Sequence, residues 1–215
     1  MWKLLTDLPV HLALVIINGI NVDTGENAYQ ELLACAQSWR NRYRDIPIGE
    51  VPGVQYARKF FHSIGVDPTK RRSSSEALLN RALKDKELYS VNSLVDVGNW
   101  CSLDFLLPIC VYDLNKINGN VTIRLGKEGE SYSGLNHNSI NLAGRYCIAD
   151  ETGPFGSPIT DSERTAVDLA TKNAALVIFS PGEYDKNLLF EKTRLFADRV
   201  QQICGGVILM TDIIG

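Results

Sequence analysis

Apolar residues recur along the chain in two rhythms, and their order separates helices from strands. Leu12 to Ile17 is an unbroken apolar run closed by Asn18 and Gly19. Because both parities are apolar, it predicts a strand covered on both faces. Tyr29, Leu32, Leu33, Ala36, Trp39 and Tyr43 then recur at helical spacing, which predicts an amphipathic helix with Thr24 as a cap near its start. Pro52 precedes a second helical set, Val54, Ala57, Phe61 and Ile64. That set stops at Gly65, a residue that accepts the left-handed conformation ending a helix. Ser73, Ser74 and Ser75 offer hydroxyl caps for a third helix bearing Leu78, Leu79, Ala82 and Leu83, and Glu76 is spaced to close a capping box on Ser73. Leu94, Val95, Val97, Cys101 and Phe105 predict a fourth helix, stopped by Pro108.

Strand signals dominate beyond Pro108. Val111 and Tyr112 predict a short strand, and the turn Asn118-Gly119 leads into the alternating Val121, Ile123 and Leu125, so this pair is expected to be an antiparallel hairpin. Gly126 to Asn141 predicts loop and hairpin, Tyr146 to Ala149 a strand, and Gly153 to Pro158 a turn-rich connection. Ala175 to Phe179 predicts another strand. Leu188, Leu189, Leu195, Phe196, Val200 and Ile203 mark a last helix, and Val207 to Met210 a last strand. Helices gather early and strands late, without steady alternation, so the expectation is an α+β fold in one compact domain over residues 1–215.

Composition narrows the function classes. A chain of 215 residues with 45% hydrophobic and 22% charged residues can bury a core unaided, which sets disorder aside. The longest apolar run falls short of the roughly 18 residues that span a bilayer, and Asp7 and Pro9 interrupt any secretory signal, so a cytoplasmic location is expected. Five cysteines, Cys35, Cys101, Cys110, Cys147 and Cys204, form no Cys-x-x-Cys pair, and three histidines show no metal-ligand spacing. Reduced thiols, no metal and no cofactor are therefore expected. A net charge of −3 means that any RNA contact must be local.

Four phrases carry a resemblance. They are Gly65-Val66-Asp67-Pro68-Thr69-Lys70, Ser74-Ser75-Glu76-Ala77-Leu78-Leu79-Asn80-Arg81, Val91-Asn92-Ser93-Leu94-Val95-Asp96-Val97-Gly98-Asn99, and Leu107-Pro108-Ile109-Cys110-Val111-Tyr112-Asp113-Leu114-Asn115-Lys116-Ile117. In order and spacing, 65–125 resembles the editing module, B-three/four, of the phenylalanyl-tRNA synthetase beta subunit and its freestanding homologues. A looser likeness continues through Gly126 to Glu130, Asp150 to Gly156 and the strand after Asn173, and the first sixty residues match only in pattern. The resemblance implies a sandwich-like arrangement of mixed and antiparallel sheets flanked by helices. It also implies a hydrolase that removes a wrong amino acid from tRNA, as double-sieve editing requires, and not a synthetase by itself.

By the same resemblance, Asn99 falls on a pocket asparagine whose amide can bond an ester or amino-acid group, with a plain core or surface hydrogen bond as the alternative. Gly98 stands where the family has threonine, Cys110 where it has histidine, and Val177 near its glutamate, which argues against a tyrosine-specific pocket. Cys110 would act only as an activated thiol or weak donor, and buried cysteines are usually inert. Gly156 matches a pocket glycine or else serves turn geometry. Tyr112 and Asp113 would shape a pocket floor, or belong to the core and the following turn. Lys70, Arg71 and Arg72, with Ser74 at a helix start, would hold a tRNA phosphate, or form a solvated turn. Three readings stay open: a deacylase of mischarged aminoacyl-tRNA acting in trans, a non-catalytic RNA-binding module, and a small-molecule or partner binder on the same fold. A hollow between the helix bearing Asn99 and the strand bearing Cys110 separates chemistry from scaffold.

Overall fold

The computed structural model describes residues 1–215. After a short strand β1 (Trp2–Leu4), β2 (Val10–Asn18) shows why its run is apolar throughout. Ala13, Val15 and Ile17 enter one core, while Val10, Leu12 and Leu14 enter another on the opposite face. Strand alternation thus feeds two cores from one segment.

Four helices come next: α1 (Asn27–Tyr43), α2 (Val54–Ser63), α3 (Ser74–Leu83) and α4 (Ser93–Phe105). The helical spacing at 29–43 is realised, but the residue before α1 is Glu26, without a side-chain cap, so Thr24 does not serve as one. Gly65 takes the positive φ of +73° just past α2. Ser73 caps α3 by accepting from the Glu76 N–H at 3.2 Å. The Glu76 carboxylate does not return to close a box: Arg58 takes it in two bonds, at 2.6 and 3.0 Å. A charged, bidentate guanidinium outcompetes a backbone donor for a buried acid.

The remaining elements are β3 (Ile109–Asp113), β4 (Val121–Leu125), β5 (Ser131–Ser133), β6 (Ser139–Asn141), β7 (Tyr146–Asp150), β8 (Gly153–Gly156), β9 (Asn173–Pro181), α5 (Lys186–Cys204) and β10 (Val207–Ile214). One sheet has the order β10-β2-β9-β3 and is antiparallel throughout. The other, β1-β4-β7-β8, is mixed, because β1 runs parallel to β4. The strands flanking Asn118-Gly119 therefore do not pair with each other. β3 pairs with β9 and β4 with β7, and the turn crosses between sheets. It is anchored by Asp150, whose carboxylate accepts from the Asn118 N–H at 2.8 Å. The connection expected over Gly153 to Pro158 contains β8, which joins β7 through a register shift.

The two sheets and α2 enclose one core, built on Phe60, Phe61, Tyr112, Ile148, Phe155 and Phe179. The other face of the β2 sheet packs against α4 and α5 through Leu94, Val97, Phe196 and Val200. α1 and α3 cover the outside of α4, where Leu32, Leu79 and Leu103 meet. The fold is the expected α+β sandwich flanked by helices. It leaves β3 as an edge strand beside α4, and the site lies there.

Candidate functional site

A cavity of about 270 Å³ opens between α4, the edge of β3 and two loops. From α4 and its approach come Val91, Val95, Gly98 and Asn99, and from β3 come Ile109, Cys110 and Val111. Three consecutive strand residues can line one space only along a strand's edge, since alternate residues point to opposite faces. Leu135, Asp161, Ala166 and Val167 complete the wall. Another hollow, of about 240 Å³ between α1 and the end of α3, already holds the ion pair Arg40–Asp85, so size alone does not locate the site.

Local chemistry sets this geometry. Asn92 caps α4 by accepting from the Val95 N–H at 3.0 Å. Asp96, fully buried, accepts from the Ser90 hydroxyl at 2.5 Å and the Val91 N–H at 3.0 Å, which folds Val91 onto the cavity rim. At the other end Leu106 takes a φ of +54°, breaking the helix so that Pro108 leads into β3. Asn99, one turn beyond Val95, is half-buried in the wall and its amide has no hydrogen-bond partner within the protein.

Asp161 is the charged group of this cavity. Water can reach it through the mouth, yet protein atoms surround its carboxyl, and this burial pushes its pKa from 3.8 up to about 6. Hydrogen bonds from Tyr112, Cys110 and the Ser157 N–H oppose that rise. The Tyr112 hydroxyl donates to Oδ1 at 2.6 Å. The turn bearing Asp161 is fastened by Ser157, whose hydroxyl donates to the Thr160 carbonyl at 3.0 Å, and by the Tyr132 hydroxyl on that same carbonyl. A carboxyl in a cleft whose pKa is raised by desolvation is a recognised mark of function.

The residues expected from the sequence divide into three groups. Gly98, Asn99 and Cys110 do meet in the cavity. The Cys110 thiol sits 3.7 Å from the Ser157 carbonyl, and burial pushes its pKa well above 9, so it stays protonated and is a weak donor, not a nucleophile. Tyr112, Asp113 and Gly156 do not line the cavity. Tyr112 is fully buried behind it and steadies Asp161. Asp113 caps the turn after β3 by accepting from the Asn115 N–H at 3.0 Å, and also accepts from the Thr171 hydroxyl at 2.8 Å. At Gly156 a Cβ would lie 2.3 Å from the Tyr112 hydroxyl oxygen, so the glycine makes room for the tyrosine and neither admits a ligand nor serves a turn. Val177 is a core residue of β9, paired in register with Cys110.

The basic turn lies outside the cavity. Lys70 and Arg72 stand 3.9 Å from Asp67 and Glu76. Ser74 shares a hydrogen bond of 3.2 Å with Ser102, one turn past Asn99 on α4. Asp161 is the residue that sequence patterning missed. Its only signal was an acid directly after the uncharged stretch from Gly153 to Thr160.

Fold and site together define an α+β sandwich protein with a small, partly charged cavity at a sheet edge. The chain belongs to the B3/4 domain family, whose model matches residues 56–183 and so includes every residue lining the cavity. It is 35% identical over 108 residues, 49% of the chain, to the phenylalanine–tRNA ligase beta subunit of Bartonella henselae, and covers 13% of that protein. Against the same subunit of Neisseria meningitidis it is 28% identical over 171 residues, 68% of the chain and 22% of the relative. It thus spans less than a quarter of these relatives' length. An N-terminal fragment of the phenylalanyl-tRNA synthetase beta subunit of Pyrococcus horikoshii superposes with a TM-score of 0.49 and 14% identity, over 96% of this chain and 50% of that one. No helix is long and apolar enough to cross a membrane.

Proposed function

We propose that the protein hydrolyses the ester of a mischarged aminoacyl-tRNA. The observation that supports this reading is the cavity, open to solvent, which an unpartnered Asn99 amide and an ionisable Asp161 both line. The aminoacyl end enters past Val91 and Leu135. With its pKa at about 6, Asp161 is ionised at neutral pH, yet is a better proton acceptor than an ordinary carboxylate. It takes a proton from a water that attacks the ester carbonyl carbon. Asn99 donates to the carbonyl oxygen as it gains negative charge. When the bond from carbonyl carbon to ribose oxygen breaks, Asp161 returns the proton to that oxygen, releasing free amino acid and tRNA. Holding water and ester together supplies much of the effect without a Ser-His-Asp triad.

Lys70, Arg71 and Arg72 contact tRNA phosphates in this reading, with Ser74 tying their turn to the helix that bears Asn99. The chain works as one unit, because β2 and β10, outside the matched region, complete the sheet that carries β3. The test is deacylation of a panel of mischarged tRNAs. Wild type is expected to exceed the no-enzyme control for at least one ester, with Asp161→Asn and Asn99→Ala each reduced about 100-fold. No deacylation of any ester would remove the proposal.

A further inference from the structure

Tyr89 is the most exposed aromatic residue of the chain, at 64%. An exposed ring on a slack loop would mean little, but this residue is pinned from both sides. Before it, Leu88 is buried and its carbonyl accepts from the Tyr29 hydroxyl at 2.6 Å. After it, the Ser90 hydroxyl and the Val91 N–H both donate to the buried Asp96. The Arg81 guanidinium lies over the ring, 4.9 Å from its centre, and is itself held by its Nε donating to the Glu87 carbonyl at 2.7 Å. One face of the ring is thus backed by a fixed cation, while the exposure of the residue leaves solvent on the other.

Charge around the ring points the same way. The cations between Arg81 and Val91 are Arg81, Lys84 and Lys86, and none of them forms an ion pair. Of the acids in that segment, Asp85 is taken by Arg40, which leaves Glu87 alone against them. This is a local excess of positive charge in a chain whose net charge is −3. Unpaired cations beside a free aromatic face are the two components of a site for single-stranded nucleic acid.

Position ties this surface to the cavity. Val91, which lines the cavity, is two residues beyond Tyr89, and two residues of chain span at most about 7 Å. An ester held in the cavity hangs from the last ribose of the RNA, so the base on that ribose lies at the mouth. Resting on the deacylase reading, we infer that Tyr89, backed by Arg81, stacks on the unpaired 3′-terminal base of the tRNA, and that Lys84 and Lys86 meet the phosphodiesters leading to it. Stacking accepts any base, so this surface holds the end of the strand without reading its sequence.

The test uses the whole chain carrying isotope-labelled tyrosine and, as probe, the trinucleotide CCA, the unpaired end common to tRNAs. Tyr89→Phe keeps a stacking ring and assigns the Tyr89 signals by their loss. On titration with CCA those signals are expected to move upfield, as ring protons beneath a base do. Tyr89→Ala should bind CCA about tenfold more weakly, and Tyr89→Phe as tightly as wild type. Lys84→Ala combined with Lys86→Ala should flatten the salt dependence of binding, and an unaltered dependence overturns the role given to the lysines. Cleavage of mischarged tRNAs is measured in parallel. Tyr89 signals that stay still under CCA, or Tyr89→Ala binding as tightly as wild type, overturn the inference, and cleavage that persists then leaves the deacylase standing. Tyr89-dependent binding of CCA with no cleavage of any ester removes the deacylase and keeps the stacking site.

Discussion

Replacing Asp161 by Asn should stabilise the protein at neutral pH while cutting its proposed activity about 100-fold. The carboxyl has a pKa of about 6 in the folded chain against 3.8 when free. For an acid shifted upward, folding is unpenalised below the free value, and stability is lost as pH rises through the folded value. The difference of about two units corresponds to about 3 kcal/mol at pH 7. Asn removes the charge and can still accept from Tyr112, but its amide nitrogen cannot also accept from the Ser157 N–H, which costs about 1 kcal/mol. A net gain of about 2 kcal/mol remains. Urea unfolding at pH 7 should show a higher midpoint for the variant, and at pH 3.5 the advantage should vanish. A variant that is equally or less stable at pH 7, with the pH dependence of wild type, would refute the claim that burial holds this group above its ordinary range.

Other substitutions test the supports of the site and fold. Gly156→Ala places a methyl 2.3 Å from the hydroxyl oxygen of a fully buried Tyr112, so a loss of about 2 kcal/mol is expected in chemical denaturation, and an unchanged midpoint would mean the ring can yield. Arg58→Ala strands the buried Glu76 carboxylate with only Arg72 at 3.9 Å. Because Arg58 is itself one-third exposed, the expected cost is about 2–3 kcal/mol, at the low end for a broken buried pair, and a thermal midpoint within a degree of wild type would count against it. Glu130 is held at about 2, first by its bonds to Arg124, against 4.5 when free. Its contribution is therefore complete above pH 4.5 and lost as pH falls toward 2, at most about 3 kcal/mol. Glu130→Gln should flatten stability across that window, and an unaltered acid profile would exclude the pair as its cause.

Much of the fold was legible because its signals are local. The run at 12–17 announced two covered faces, and Ser73 announced the start of α3. What could not be read was pairing. Asn118-Gly119 carries hairpin chemistry, yet its flanking strands join different sheets because Asp150, distant in sequence, supplies the bond that holds the turn. β8 was hidden for a related reason: Gly153, Pro154 and Gly156 read as turn residues, and a strand there depends on β7 beside it and on the close fit of Tyr112 over Gly156.

The site divides along the same line. Gly98, Asn99 and Cys110 were found through contiguous phrases that one helix and the next strand bring together, whereas Asp161 reaches the cavity from a loop about fifty residues beyond Cys110. No local pattern marks it. What does mark it is the conflict between its charge and its surroundings, visible only once Tyr112, Cys110 and Ser157 surround it. A chain optimised for stability alone would place a neutral residue there. Retaining an acid that weakens folding, in the same cavity as an asparagine with no partner of its own, runs against the local consistency seen in the rest of the fold, and such departures gather where a protein acts on something else. The stability gain expected of Asp161→Asn and the activity expected of Asp161 are therefore one claim: if the first fails, burial is not shaping this carboxyl, and the case for proton transfer at this site fails with it.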